Sequence, residues 1–293
     1  MKKAIIIQPG KLGDILITAP IADYYHNLGY LIDWPVFNNF SNVISRLGYA
    51  NEIFYGINID NSKYYSNKRT QFWEHGKRTL NEINPNNRVV FDGIEMFNRI
   101  YDRIDTHQYD LVIDPCFSFP GHRNVENNQK TSEYASRNLN WINLKYDLVS
   151  VPLNNRWNLN YTRNLDKEQQ LLEFVRNYSI EKYGSDKYSI IHTYCGLEEL
   201  SKKTNAINPI NFSYIHGYEI FDWRLVLENS DSIVCCDSSL CNYVEVLPSL
   251  RETKKFYLGS EEIHYHPYMR NILLNNWTNL TKEDISYGNY KVE

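Results

Sequence analysis

Paired cysteines, basic blocks and long apolar runs are all scarce in this sequence, and each shortage closes off a class of protein. The five cysteines (Cys116, Cys195, Cys235, Cys236 and Cys241) are odd in number and share no paired spacing, so a disulfide framework is not expected. Cys235 and Cys236 lie in an apolar, strand-like run, where buried reduced thiols are the natural reading. No Lys/Arg block exceeds a pair and the formal net charge is −4, which removes the electrostatic footprint of a nonspecific nucleic-acid binder. Between Met1-Lys2-Lys3 and Gln8-Pro9-Gly10 stand only four apolar residues, too few for a signal-peptide core or a membrane span, and a cytoplasmic protein without a transmembrane segment is expected. Alanine is sparse while Asn, Ile, Lys and Tyr are heavily used, the composition of an AT-rich genome such as that of a phage or a low-GC bacterium. His264-Tyr265-His266 has no third ligand at a recognisable spacing, so no metal site is expected.

What is present is enough apolar material for two ordinary cores: 293 residues, 42% hydrophobic and 14% aromatic. Strand-like and helix-like segments alternate through the first half. Strands are expected over 3–8, 30–36, 52–55, 88–91 and 109–114, with helices over 14–28, 40–47 and 94–104 and a helical stretch over 133–144. After an irregular segment at 151–155 a second series begins, with helices over 167–183, 220–229 and 239–247 and strands over 188–192, 212–215, 232–236 and 255–258. The expectation is an α/β protein of two Rossmann-like domains, residues 1–155 and 156–293, facing one another across a cleft.

Two strand-to-helix junctions could carry chemistry. Ala4-Ile5-Ile6-Ile7 reads as a strand buried on both faces, and Lys11-Leu12-Gly13-Asp14 follows it, which puts a carboxylate at the carboxyl edge of a parallel sheet, where ligands of such sheets gather. Asp14 suits a general base; a helix N-cap after a glycine turn explains it about as well. At the second junction Ile233-Val234-Cys235-Cys236 runs into Asp237-Ser238-Ser239-Leu240. There, free amides, two hydroxyls and the helix dipole suit a pyrophosphate, although a plain Ser cap is equally common.

These two motifs resemble those of the lipopolysaccharide heptosyltransferases, a family of glycosyltransferases. Gly13-Asp14 with the following Ile-Leu-Ile-Thr-Ala-Pro is similar to the family's opening Gly-Asp, apolar stretch and Thr-x-Pro, and Asp237-Ser238-Ser239-Leu240 falls where the family has Asp-Thr/Ser-Gly-Leu. The resemblance implies the glycosyltransferase B fold and an inverting, metal-independent transfer of a sugar from a nucleotide-diphosphate-sugar donor to a hydroxyl acceptor, a glycan or a lipopolysaccharide-like molecule, with no cofactor. It implies Asp14 as the catalytic base with Gly13, Lys11 and Asp114 on the acceptor side. It places Asp237, Ser238, Ser239, Leu240, Glu219, Tyr194 and Lys202 toward the donor. Ser239 stands where the family has glycine and Asn242 where it has histidine, and both depart from the pattern. The family's lysine corresponds to Lys202 or Lys203, a pair that reads equally as solvated surface. Glu219 is explained nearly as well as a helix-start residue, and Asp114 and His122 as a strand-end Asp and a loop His. The Tyr-rich stretch 55–78, with Tyr64, Tyr65, Phe72 and Trp73, reads as an acceptor loop or as core packing. Two rival readings remain at this level: a phage transferase acting on modified DNA bases, and a catalytically silent nucleotide-sugar-binding protein of the same fold.

Overall fold

The computed structural model describes residues 1–8, 12–36, 40–53, 104–115, 141–192, 204–212, 215, 217–236, 238–258 and 277–280. The strand expected at 88–91, nearly all of the helix at 94–104, the stretch 55–78, His122 and the histidines at 264 and 266 lie outside these residues. Two compact units divide the chain between Thr162 and Arg163.

The first unit is a parallel sheet in the order β3-β2-β1-β4, formed by β1 (Lys2–Ile6), β2 (Tyr30–Pro35), β3 (Ala50–Ile53) and β4 (Leu111–Ile113). The central strand β1 pairs Ala4 with Ile32 on one side and with Leu111 on the other. Being covered on both faces, it is apolar without alternation: Ala4, Ile5, Ile6 and Ile7 are fully buried. Helix α1 (Leu12–Asn27) returns over the sheet with every residue from Ile15 to Asp23 buried. Helix α2 (Ser41–Leu47) ends on Gly48, whose φ of 74° supplies the left-handed cap that other residues adopt only with strain. Against α1 packs α3 (Trp141–Leu148), which overlaps the stretch expected at 133–144 and runs past its end; residues 133–140 lie outside the described residues. The Tyr146 hydroxyl donates to the Ile17 carbonyl at 3.0 Å. That of Tyr25 donates to the Val149 carbonyl. A 3-10 turn at Leu153–Trp157 takes the place of the irregular segment. The residues after it stay with the first unit, because Thr162 N donates to the Arg46 carbonyl at 2.7 Å and Asn160 bonds Asp23.

The second unit opens with α4 (Leu165–Tyr183), capped at its start by the Asn164 side chain on Lys167 N and at its end by Gly184. Its sheet is also parallel, in the order β6-β5-β7-β8-β9, from β5 (Ser189–His192), β6 (Pro209–Asn211), β7 (Ser232–Cys236), β8 (Lys254–Leu258) and β9 (Trp277–Leu280). The strand expected at 212–215 is therefore β6, shifted toward the N-terminus. Proline is tolerated at the start of this edge strand, and Phe212 just past its end still donates to the Ile191 carbonyl at 2.8 Å while its ring packs at an angle against Trp223 (4.7 Å) and edge-on to His192 (5.2 Å). The helix expected at 220–229 is a 3-10 turn (Ile220–Trp223) followed by α5 (Arg224–Glu228), since a capping box between Glu219 and Asp222 tightens the first turn. Helix α6 (Ser239–Glu245) follows β7. Strand β9 has no counterpart among the expected elements; Trp277 is half-buried and its indole N–H donates to Glu245.

Candidate active site

Strand order alone marks one place in each unit. In the first sheet the chain leaves β1 on one side for β2 and later returns on the other side for β4; in the second it leaves β5 for β6 and returns for β7. A crevice opens beyond the carboxyl ends of the strands at such reversals. The residues there are Gln8 and Asp114 in the first unit and His192 and Ser238 in the second.

In the first unit the helix starts at Leu12, so Asp14 is the third helical residue and not the N-cap. Its carboxylate, 27% exposed, lies 3.3 Å from Nζ of Lys145. Lys145 is buried to 1% exposure on α3 and donates to Gln8 Oε1 at 2.7 Å. Gln8 is pinned in turn, because its backbone carbonyl accepts from the Trp34 indole N–H at 2.9 Å. The ammonium thus sits beneath the sheet edge with a carboxylate and an amide oxygen around it, which offsets the cost of desolvating it. This fixes one oxygen of Asp14 and leaves the carboxylate reachable from solvent. Gly13 is half-buried in the same first turn, and Asp114 is buried at the end of β4. Lys11 lies outside the described residues.

In the second unit Ser238 is the N-cap of α6. Its Oγ accepts from Cys241 N at 3.4 Å and donates to the Cys236 carbonyl at 3.1 Å, and His192 Nδ1 lies 2.9 Å from it. With the hydroxyl proton on Cys236, the consistent arrangement has Nδ1–H donating to Ser238. Ser239 is half-buried beside it, whereas the Leu240 side chain is fully buried, so only its backbone is placed to meet a ligand. Glu219 is the N-cap of the 3-10 turn, its side chain accepting from the Asp222 backbone while Asp222 accepts from Glu219 N at 2.8 Å. Its carboxylate is thereby held by local structure. Asp237, Tyr194 and Lys202 lie outside the described residues.

The structure adds two residues to those expected. Lys145 interrupts an otherwise apolar buried face, Ile142, Leu144 and Tyr146, and a lysine in that setting signals a buried partner. His192 ends a buried strand beside the one that leads to Ser238. The described cysteines, Cys235, Cys236 and Cys241, are buried thiols outside any disulfide. Burial and the neighbouring Cys236 push the Cys235 thiol well above its ordinary pKa, which keeps it inert. Among the described residues no group of three or more His, Cys, Asp or Glu is arranged to hold a metal ion, and no helix is long and apolar enough to cross a membrane.

No protein-family model and no curated protein matches the sequence. Solved structures do match. A glycosyl transferase of family 9 from Veillonella parvula DSM 2008 aligns over 96% of this chain and 86% of its own, with a TM-score of 0.50 at 11% identity. The chain shares its fold with that glycosyl transferase. The E. coli heptosyltransferase WaaC with ADP aligns over 95% of this chain and 92% of its own (TM-score 0.44, 12% identity), and the E. coli ADP-heptose lps heptosyltransferase II over 96% and 90% (0.38, 11%). The two parallel α/β units are those of the glycosyltransferase B fold, as the resemblance of the two motifs implied. At 11% identity the likeness speaks for the fold, and function has to be argued from the site.

Proposed function

We propose that this chain is an inverting, metal-independent glycosyltransferase that moves a sugar from a nucleotide-diphosphate-sugar to a hydroxyl acceptor. The observation that carries the reading is the Asp14 carboxylate, held at the carboxyl edge of β1 by a buried lysine yet open to solvent. In the proposed step the acceptor hydroxyl donates to the open oxygen of Asp14 while its own oxygen attacks the anomeric carbon from the face opposite the diphosphate. The new C–O bond forms as the bond to the leaving phosphate oxygen breaks, the nucleoside diphosphate departs with the electron pair, and the proton passes to Asp14 and then to solvent. Such a base contributes roughly 10²- to 10⁴-fold.

Stabilisation of the leaving diphosphate would come from the Ser239 hydroxyl and the backbone amides of Ser238 and Ser239, with Lys202 as a further contact. The fold shared with a family 9 glycosyl transferase and the two motifs support this assignment. The test is a panel of nucleotide-diphosphate-sugars read by thermal shift and by slow hydrolysis without acceptor. At least one donor should stabilise the protein and be hydrolysed. Asp14→Asn should keep the thermal shift and lose the turnover. A panel that gives no shift at all, or a variant that turns over like the wild type, would overturn the reading.

A further inference from the structure

A polar recess lies among the described residues of the first unit, lined by no residue of that unit's strand edge. It has a volume of about 300 Å³ and is lined by Pro20, Asp23, Tyr24 and Asn27 of α1 and by Asn155, Asn158 and Asn160 of the chain that follows the 3-10 turn. The α1 residues follow the i, i+3, i+4, i+7 spacing of one helix face. Asp23 is nine residues beyond Asp14, which at ~1.5 Å per residue places the recess roughly 14 Å further along the helix, toward the opposite edge of the sheet.

The chemistry of the lining is particular. Asp23, 8% exposed, accepts from Asn27 Nδ2 at 3.3 Å and from Asn160 Nδ2 at 2.6 Å. A carboxylate accepts only, so the nitrogens of both amides must face it. Asn155 likewise commits its Nδ2 to the Pro152 carbonyl at 3.0 Å. Among the described residues no donor reaches the Oδ1 atoms of these three amides, so each presents an acceptor with both lone pairs. Asn158 contributes a complete amide from an exposed position. Tyr24 contributes a half-buried ring braced edge-on against Tyr25 at 5.4 Å, and Tyr25 is itself anchored to Val149. The charge of Asp23 is met by two N–H donors, so the recess, with Asn27, Asn158 and Asn160 exposed at its rim, offers neutral, acceptor-rich polarity beside one aromatic ring.

We propose that this recess is an accessory carbohydrate-binding site for one or two neutral sugar residues. A pyranose matches it group for group. Its hydroxyls are donors for the amide oxygens, pairs of adjacent hydroxyls suit a planar amide, and its C–H face packs on an aromatic ring. Among the described lining residues there is no cation for an anion to meet, and a metal ion is disfavoured because amide hydrogens already occupy the carboxylate of Asp23. The volume stands at the low end of ligand sites, roughly 300 Å³, which fits a mono- or disaccharide and not a long chain. The inference does not depend on Asp14 being a base.

The experiment is saturation-transfer NMR on the full chain with methyl glycosides of glucose, galactose, mannose and N-acetylglucosamine. At least one should bind with a Kd on the order of millimolar. Tyr24→Ala and Asn158→Ala touch no side-chain hydrogen bond of the described scaffold. Each should weaken binding by at least about 5-fold, roughly 1 kcal/mol, while leaving donor hydrolysis unchanged; Asn158→Ala should also keep the melting temperature, whereas Tyr24→Ala, which gives up the edge contact with Tyr25, should lower it slightly. Asp14→Asn should leave glycoside binding as it is. The proposal fails if no glycoside binds below about 50 mM. It fails equally if Asp14→Asn abolishes binding that Tyr24→Ala retains, since the sugar would then sit at the strand edge. Binding of arginine methyl ester in preference to every glycoside would also overturn it, by showing a cation site.

Discussion

The two strand-edge clusters use opposite electrostatics. At the end of β1 a buried ammonium supports a half-exposed carboxylate, so charge is placed under the site and only one sign of it reaches solvent. At the ends of β5 and β7 a neutral hydroxyl serves as helix cap and meets an imidazole. The difference follows from what each backbone can supply. A proton acceptor has to be a side chain, and a carboxylate that stays in one orientation needs a partner to hold it. An anion can be received by amides and hydroxyls already pointing out of a helix start, where an added carboxylate would repel it.

The comparison is broken most sharply at Asp14. Replacing it with Asn keeps an oxygen for Lys145 but removes the proton acceptor, and turnover should fall by at least roughly 10²-fold with ligand-induced stabilisation retained. Steady-state kinetics beside a thermal-shift assay decide this, and equal loss of both would mean that Asp14 is structural. At the other edge, Ser238→Asp keeps an acceptor for Cys241 N but gives up the hydroxyl's bond to the Cys236 carbonyl, so the unliganded melting temperature should fall by a few degrees with the fold retained. The stabilisation given by a nucleoside diphosphate should vanish, since like charges about 4 Å apart repel by up to about 4 kcal/mol at an effective dielectric of about 20. Full stabilisation in that variant would place the diphosphate elsewhere.

Lys145→Met sharpens the contrast from below. Gln8 Oε1 would be left buried without its donor at a cost of about 1–3 kcal/mol, which lowers the melting temperature by a few degrees. Activity should fall as well, and Lys145→Arg should restore it in part; a variant that is destabilised but fully active would confine the lysine to a structural role. The smallest expected effect is that of EDTA, which should leave activity within error, because the proposed step routes all charge through Asp14, Lys145 and the start of α6. Activity lost to EDTA and restored by Mg²⁺ would replace this scheme with a metal-assisted one.

Much of this was legible because it is local. The run Ala4 to Ile7 could only be a strand buried on both faces, and a helix beginning beside Gly13 follows from the pattern after it. Ser238 capping α6 needed only the transition from an apolar run to two serines and a helical period. Where several local signals competed, the reading slipped. Phe212 looked like the start of a strand, being aromatic and flanked by polar neighbours, yet it makes the last bond of one that began at Pro209. Asp14 looked like a cap because it follows glycine, but the helix begins two residues earlier. Strand β9 has a single turn's worth of weak signal and exists because β8 offered it an edge.

The sequence by itself determined that an apolar strand runs into a helix near Asp14 and again near Ser238, and hence that these two residues stand at carboxyl edges of parallel strands. Contiguous apolar runs and the residues next to them suffice for that, since both act within a few residues of chain. Only the tertiary structure decided their company. Lys145 reaches Gln8 across 137 residues, His192 reaches Ser238 across 46, and Asn160 reaches Asp23 across 137. Each of these contacts is made by packing one element on another, and no periodicity within either element encodes which distant side chain will arrive.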